Sequence, residues 1–386
     1  MFKPTTKEKL KEILNTQKIK LYEIDTSLIT DMSYLFDGVF WWDFEGINTW
    51  DTSNVTDMSY MFKDSERIGV KLSFDTSSVT NMQGMFEGCK GLYYTPCFNT
   101  SKVTNMRRMF AGCVGLSSEA IDFDTKNVTD MSEMFYGCYD FNAPVYFNTS
   151  SVVNMSKMFY LCYNFNQKIE FNTQNVTDMS EMFMACTELD KSIIFSDTSK
   201  VTDMSYMFSE CQEFNQELDF DTSSVTNVNG MFCECFSFNS RLNFKTKNVK
   251  DFSNMFYKCW EFNQPLDFDT SSAISMSGMF FECDNFNQEL DFDTGNVTDM
   301  SAMFYDCYSL NKKILFDTKN VKTMRNMFID CRSFNQKLSF NTKNVEDFSG
   351  MFSGCKSLNQ IFDFDMSSAK KIDGMFFKSC GKLANN

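Results

Sequence analysis

Hydrophobic and polar positions follow one pattern that returns every 24 or 25 residues along most of the chain. In one copy of the pattern, apolar residues stand at Met204, Met207, Phe208 and Cys211. This spacing of three and four residues predicts a short helix with one apolar side. A Thr-Asp pair stands just before these residues, where either side chain can cap the first turn.

The second half of the same copy has a different period. Leu218 and Phe220 alternate with Glu217 and Asp219, which predicts a short strand with one buried face. Asp221 then begins an Asp-Thr-Ser segment that favours a turn. Each repeat is therefore expected to be a strand, a turn and a short helix, stabilised by stacking on its neighbours.

A repeat of this length predicts a solenoid, in which successive coils bury one continuous apolar core. The dipeptide Met-Phe marks the repeats and begins at positions 61, 85, 109, 134, 158, 182, 207, 231, 255, 279, 303, 327, 351 and 375, with a degenerate copy at 35. We predict three segments: a capping helix within residues 1–20, a single repeat domain over 21–380 and a frayed tail over 381–386. In the first segment, Thr5 or Thr6 precedes an amphipathic stretch and predicts a capping box.

The bulk composition narrows the classes of function. The formal net charge is -15 and acidic residues are spread over the repeats, which argues against nucleic acid as a partner. The chain contains no histidine, so catalytic triads and metal sites that need an imidazole are excluded. No stretch is long and apolar enough to predict membrane insertion, and the amino terminus lacks the apolar core of a secretory signal.

Twelve of the fifteen cysteines occupy one column, four residues after each Met of the Met-Phe pair. Stacked side chains of one column point in the same direction, so we predict buried free thiols and not disulfides. A column also spreads its ligands along an axis, whereas a metal site needs ligands that converge on a point. We therefore predict no metal and no cofactor, and weak calcium binding is left open.

An Asn recurs directly after the aromatic or Leu residue that follows most column cysteines, as at Asn215, Asn239 and Asn263, and Asp190 replaces it once. Amide side chains stacked at a corner of successive coils can bond one another and the exposed backbone. We predict a structural ladder at these positions. A polar binding stripe is the alternative.

The segment Asp51–Phe62, with the sequence DTSNVTDMSYMF, and its later copies resemble the bacterial surface protein 26-residue repeat of the BspA-like leucine-rich-repeat surface proteins. The resemblance covers about residues 21–380. It implies an α/β repeat fold, a leucine-rich-repeat-like solenoid of about 15 coils. It also implies display at the cell surface or outside the cell, with a role in adhesion or binding.

The outward positions of the predicted strands are the candidate binding face, because leucine-rich repeats usually meet their partners there. These positions differ from coil to coil while the core positions do not, so they can encode a ligand without disturbing the fold. A solvated face without a ligand is the alternative. The candidates are Asp122, Tyr146, Glu170, Ile194, Glu217, Asp219, Arg241, Asn243, Asp267, Asp291, Leu315 and Lys337.

A second candidate site is the aromatic patch formed by Phe40, Trp41, Trp42 and Trp50. Clustered aromatic side chains are typical of binding hot spots. The same residues can instead seal the first coil beneath the terminal helix, which solenoid ends require.

These observations predict a non-enzymatic, monomeric protein that recognises a protein or glycan through the strand face. An intracellular scaffold for protein-protein interactions is the alternative. The family resemblance favours the cell surface, but because no signal peptide is visible, a cytoplasmic location stays open.

Overall fold

The computed structural model describes residues 1–16, 19–39, 44–65, 68–116 and 119–384. The chain divides into two compact units, an amino-terminal unit, Met1–Thr187, and a carboxy-terminal unit, Glu188–Asn386. Regular elements within the described ranges are short: helix α1 (Lys7–Asn15), 3-10 turns at Leu21–Glu23 and Ile47–Thr49, and strands β1 (Ile169–Phe171), β2 (Ile193–Phe195), β3 (Ile361–Phe362) and β4 (Lys382–Leu383). Strands β3 and β4 pair in parallel. The same repeat fills both units, and a single repeat domain over 21–380 stays a prediction.

Helix α1 lies within the range predicted for a capping helix. Thr6 is its N-cap, and the Thr6 hydroxyl accepts the N–H of Lys9 at 3.3 Å. Leu10 and Leu14 are buried, and Lys7 reaches the Asp31 carboxylate of the first coil. The predicted capping box is incomplete, because the third helical residue is a lysine and cannot return a carboxylate to the cap.

The predicted short helix in each coil is wrong: the segment from the first Met to the Cys is a run of tight turns. In the coil at Met85, the N–H groups of Met85, Glu87 and Cys89 each bond the carbonyl three residues earlier, at 3.0–3.2 Å. An α-helix would bond the carbonyl four residues earlier. Gly84 and Gly88 have φ of +56° and +75°, as the third position of a type II turn requires.

The remaining N–H groups of these turns bond along the stack. Gly84, Phe86 and Gly88 donate to carbonyl groups of the next coil at 2.7–2.9 Å. Every second N–H therefore pairs within its coil and the others pair between coils. The backbone is satisfied without a helix because a neighbouring coil supplies the acceptors.

A parallel ladder runs through the residue that precedes the first Met of each coil. Asp57 pairs with Asn81, and Asn81 pairs with Asn105, and the same ladder recurs in the carboxy-terminal unit from Asp203 onward. The predicted helix cap is therefore a bridging residue. Its side chain closes a local turn, as where Asp57 accepts the N–H of Ser59 at 2.8 Å.

The predicted alternation of the strand half is present. Leu218 and Phe220 are buried and Asp219 between them is exposed. Leu218 forms an isolated parallel bridge with Leu242, and strands β1 and β2 show the same buried-exposed-buried pattern. Ile121 with Val145 and Leu290 with Ile314 form further isolated bridges of this kind.

The core of each unit is built from repeated columns. The Met-Phe pairs and the column cysteines are buried, except that Phe376 of the last pair is half-buried. The phenylalanine rings stack from coil to coil, as in Phe62 and Phe86 with centroids 5.5 Å apart. A buried threonine also links coils, since the Thr76 hydroxyl donates to the Asn99 carbonyl at 2.9 Å. Stacking therefore supplies both apolar contact and polar satisfaction.

The predicted asparagine ladder is present in the structure. The Asn215 side-chain oxygen accepts the N–H of Asn239 at 2.8 Å, and the Asn239 side-chain oxygen accepts the N–H of Asn263 at 2.9 Å. The Gln264 side chain also reaches back to Asn239 at 3.1 Å. These amides serve the fold.

Candidate ligand-binding face

The strand face consists of the exposed residues that alternate with the two buried apolar residues of each strand half. All twelve candidates named from the sequence lie at exposed positions. Within each unit, parallel bridges between neighbouring coils fix these positions in register, as where Ile121 pairs with Val145 beneath Asp122 and Tyr146. The face therefore displays variable side chains on an invariant scaffold.

In the amino-terminal unit, the strand face presents Asp122, Tyr146 and Glu170. The Tyr146 side chain is 71% exposed although it is aromatic. Glu170 forms an ion pair with Lys168 of the same strand half. An exposed tyrosine between two carboxylates offers a flat apolar surface and a phenol that can donate a hydrogen bond.

In the carboxy-terminal unit, the strand face combines isolated apolar residues with carboxylates. Ile194 is 50% exposed and Leu315 is 70% exposed. The face is acidic at Glu217, Asp219, Asp267 and Asp291. Arg241 and Lys337 add positive charge to it, and Asn243 is polar without charge.

A second acidic column borders this face, at the residue before each buried threonine. The hydroxyl and the backbone N–H of Ser271 donate to Asp269 at 2.6 and 3.1 Å and lower the pKa of that carboxyl. The Lys319 side chain lowers the pKa of Asp317 in the same way. These carboxylates are held in the charged form at neutral pH.

An open groove of about 520 Å³ lies at the edge of the strand face. Its lining includes Phe244, Lys245, Lys247, Asp267 and Asp269, so a mostly buried aromatic ring lies beside side chains of both signs of charge. Lys245 forms an ion pair with Asp221 of the preceding coil at 3.2 Å. A groove of this size and lining can accept a sugar or a side chain of a protein ligand.

The prediction of an aromatic binding patch is wrong at Trp50, because this side chain is buried. This residue is only 4% exposed, and its indole N–H donates to the Leu21 carbonyl at 2.8 Å. Its ring packs against Phe36 with centroids 5.8 Å apart. Trp50 therefore seals the first coil, while Phe40, Trp41 and Trp42 lie outside the described residues.

The cysteines are free, as predicted. The twelve column cysteines are buried, Cys97 and Cys380 are exposed and Cys233 is half-buried. Burial raises the pKa of the Cys233 thiol to about 11.

Sequence reasoning missed aromatic side chains that stack on the outer surface of the turns. Tyr257, Phe281 and Tyr305 each follow a Met-Phe pair, and Phe236 and Trp260 each follow a column cysteine. Their rings stack between neighbouring coils with centroids 4.0–4.5 Å apart. The available signal was the recurrence of aromatic residues at one repeat position in consecutive copies.

Stacked coils with constant core columns and a variable outer surface define a repeat protein. The model of a Mycoplasma protein family of unknown function, DUF285, matches this chain in overlapping segments at 5–111, 72–170, 93–193, 145–243, 179–291, 238–316 and 290–385. The chain belongs to this family.

The chain matches several solved structures, among them two bacterial proteins. A leucine-rich repeat protein from Bacteroides ovatus has 18% sequence identity and a TM-score of 0.45, covering 83% of this chain and 78% of its own. An internalin (inlF) from Listeria monocytogenes has 11% identity and a TM-score of 0.26, covering 98% of this chain and 95% of its own. No curated protein matches the chain significantly. Within the described residues, no helix has the length and apolar character needed to cross a membrane.

Proposed function

We propose that this protein is a non-enzymatic binding protein of the BspA-like surface type, which recognises a protein or glycan through its strand face. The observation that carries the proposal is the contrast between columns. Core positions repeat the same residue types from coil to coil, whereas the exposed strand positions change type at almost every coil. A surface that varies on a constant scaffold is suited to recognition.

Exposed apolar side chains supply the affinity in this proposal. Tyr146, Ile194 and Leu315 are each at least half exposed at strand-face positions. Burying such side chains against a ligand is favourable, and a few anchors dominate most interfaces. The surrounding carboxylates and the groove beside Asp267 then select among ligands by charge and shape.

The test begins with the purified chain on an array of glycans and a panel of extracellular proteins. For any ligand found, Ile194→Ala and Leu315→Ala should each weaken binding by about three- to tenfold. Ile274→Ala is the matched control, because Ile274 is also 50% exposed but lies outside the strand face. Equal losses in Ile194→Ala and Ile274→Ala would reject the strand face as the site.

Protease treatment of intact source cells tests the location that this function requires. Loss of the chain from intact cells would agree with display at the surface. Full protection, with digestion only after lysis, would contradict surface binding.

An intracellular scaffold is the second candidate, and the cysteines favour it. All fifteen cysteines are free, which is typical of a reducing compartment. In that case the strand face would bind an intracellular protein. The same protease experiment separates the two candidates.

A further inference from the structure

The carboxy-terminal unit has a second distinctive surface, on the outside of its turns. Two rows of aromatic side chains lie there, one formed by Tyr257, Phe281 and Tyr305 and the other by Phe236 and Trp260. The first row stacks at 4.5 and 4.3 Å between ring centroids, and the second at 4.0 Å. Trp260 is 40% exposed, so this aromatic surface is open to solvent.

Carboxylates accompany these aromatic rows. Glu282, Asp284, Asp306 and Asp330 occupy positions beside the stacked rings, and burial together with Asp306, Asp330 and Glu282 raises the pKa of Tyr305. Tyr308 follows the next column cysteine. Burial and then Asp306 raise the pKa of Tyr308, while Arg332 opposes the shift and Asp284 adds to it. We call these residues, Phe236, Tyr257, Trp260, Phe281, Glu282, Asp284, Tyr305, Asp306, Tyr308 and Asp330, the aromatic-acidic face.

The carboxylates of this face outnumber the nearby cations. Lys258 forms an ion pair with Glu234 at 3.1 Å, and Arg332 lies 3.9 Å from Asp330. Among the described residues no ion pair engages Glu282, Asp284 or Asp306, although Arg332 interacts electrostatically with Asp284 and Asp306 at longer range. Asp306 has a side-chain oxygen that is buried without a hydrogen-bond partner. The face therefore has unmatched negative charge.

The amino-terminal unit shows that the fold does not need acidic residues at this position. The residue before the column cysteine has positive φ in both units. Gly88, Gly112, Gly137, Leu161 and Ala185 occupy it in the amino-terminal unit, none of them acidic. In the carboxy-terminal unit Glu210, Glu234, Glu282, Asp306 and Asp330 occupy it, with Lys258 and Gly354 as the other two. Glycine adopts this conformation without strain and other residues do not, so these carboxylates are a departure from what the turn itself favours.

One contact within the chain shows which cation suits this surface. The Arg332 guanidinium lies over the Tyr308 ring, 4.5 Å from its centroid, with Nε 3.9 Å from a carboxylate oxygen of Asp330. A guanidinium stacks on an aromatic face and meets a carboxylate at the same time, which an ammonium does less well. Lys258 lies over the neighbouring Tyr257 ring with its ammonium 5.3 Å from the centroid, but among the described residues Arg332 supplies the one guanidinium found over a ring of this face.

We propose that the aromatic-acidic face binds an arginine-rich segment of a partner protein. Successive coils are about 4.8 Å apart, so five coils offer a track of about 20 Å. An extended segment of about six residues has that length. A metal ion is a poorer fit, because no group of three or more Asp, Glu or Cys among the described residues is placed to hold one.

The test measures binding of a fluorescent hexa-arginine peptide to the full chain at pH 7.5 and 150 mM salt by fluorescence anisotropy. The triple variant Glu282→Gln, Asp284→Asn and Asp306→Asn should raise the Kd about tenfold or more. The control triple Asp219→Asn, Asp267→Asn and Asp291→Asn removes the same charge from the strand face and should change the Kd less than twofold. This comparison separates the face from the overall negative charge.

Two single variants test the stacking component. Trp260→Ala should weaken binding about fivefold, because the loss of one exposed ring removes a cation–π partner of the peptide. Arg332→Gln should strengthen binding about threefold, since it vacates Tyr308 and Asp330 for the peptide. The proposal would be overturned if the two triple variants lost affinity for hexa-arginine equally. It would also be overturned if hexa-lysine bound as tightly as hexa-arginine, or if Trp260→Ala left the Kd unchanged.

Discussion

The Cys307 thiol donates to the backbone carbonyl of Phe280 in the preceding coil, with sulfur and oxygen 2.9 Å apart. The same carbonyl also accepts the N–H of Cys283 at 3.1 Å. Burial raises the pKa of the Cys307 thiol well above its usual value. Because only the thiolate is a good nucleophile, the column cysteines are structural groups with little reactivity.

This arrangement predicts how the cysteines react with a thiol reagent. In the native protein at pH 8, Cys97 and Cys380 should react rapidly because they are exposed, and Cys233 slowly because its pKa is about 11. The twelve buried cysteines should react only after unfolding. Mass spectrometry of labelled peptides measures this pattern.

The control is a variant with Cys97→Ser and Cys380→Ser, in which the rapid phase should disappear. The slow phase should accelerate between pH 8 and pH 10 as the Cys233 thiolate forms. Rapid labelling of any column cysteine in the native protein would contradict its burial.

The sequence predicted which side chains lie inside, but not the backbone that places them there. Met204, Met207, Phe208 and Cys211 are all buried, as their spacing indicated. Turns that bond three residues back and a helix that bonds four residues back give nearly the same apolar spacing. The residue type does not predict the left-handed backbone conformation at positions such as Glu210, because glutamate rarely adopts that conformation.

A second prediction concerns Asp306 and pH. Burial, and then Asp330 and Glu282, raise the pKa of this carboxyl to about 6, while Arg332 opposes the shift and Asp284 adds to it. A raised pKa in the folded state means that stability falls as pH rises from about 4 to about 6. Asp306→Asn should therefore stabilise the protein by about 1 kcal/mol at pH 7.5, a modest value because the side chain is partly solvated.

Chemical denaturation at pH 7.5 and pH 4 measures this difference. The gain from Asp306→Asn should shrink toward zero at pH 4, where the carboxyl is protonated in the folded protein. Asp267→Asn on the strand face is the matched control and should change the free energy of unfolding by less than about 0.5 kcal/mol. A gain that is independent of pH would show that charge is not its cause.

A third prediction concerns the left-handed positions of the turns. Ala302 has φ of +53°, which costs an alanine about 1–2 kcal/mol and costs glycine nothing. Glycine loses about 0.5–1 kcal/mol through greater freedom in the unfolded chain. Ala302→Gly should therefore stabilise the protein by up to about 1 kcal/mol, measured as the free energy of unfolding in urea.

Ala111→Gly provides the opposite case. Ala111 is buried and does not have positive φ, so the substitution should destabilise the protein by about 1 kcal/mol. The same sign for both substitutions would mean that the turn conformation at Ala302 is not left-handed.

The exposure of the strand face could be predicted from alternation alone, since Asp219 stands between buried Leu218 and Phe220. The aromatic-acidic face could not. In the predicted helix, Phe281 and Glu282 lie on the side opposite to the buried apolar residues. Nothing in their spacing indicates that Phe281 stacks on Tyr257 of the preceding coil. Such contacts arise only when the turns of successive coils are in register.

The last prediction tests the division between inside and outside. The Phe208 ring is fully buried, with centroids 4.5 Å from Phe214 and 5.7 Å from Phe232. Phe208→Asp or Met207→Asp would place a charge without a partner in the stack, and should cost more than about 4 kcal/mol and disrupt cooperative unfolding.

Glu217→Ala changes an exposed strand-face residue of the same coil and should alter the free energy of unfolding by less than about 0.5 kcal/mol. Thermal and urea unfolding followed by circular dichroism measure all three variants. Similar tolerance at Phe208 and Glu217 would contradict the assignment of core and surface columns. Since every coil repeats those columns, it would also remove the basis for the strand face as a recognition surface.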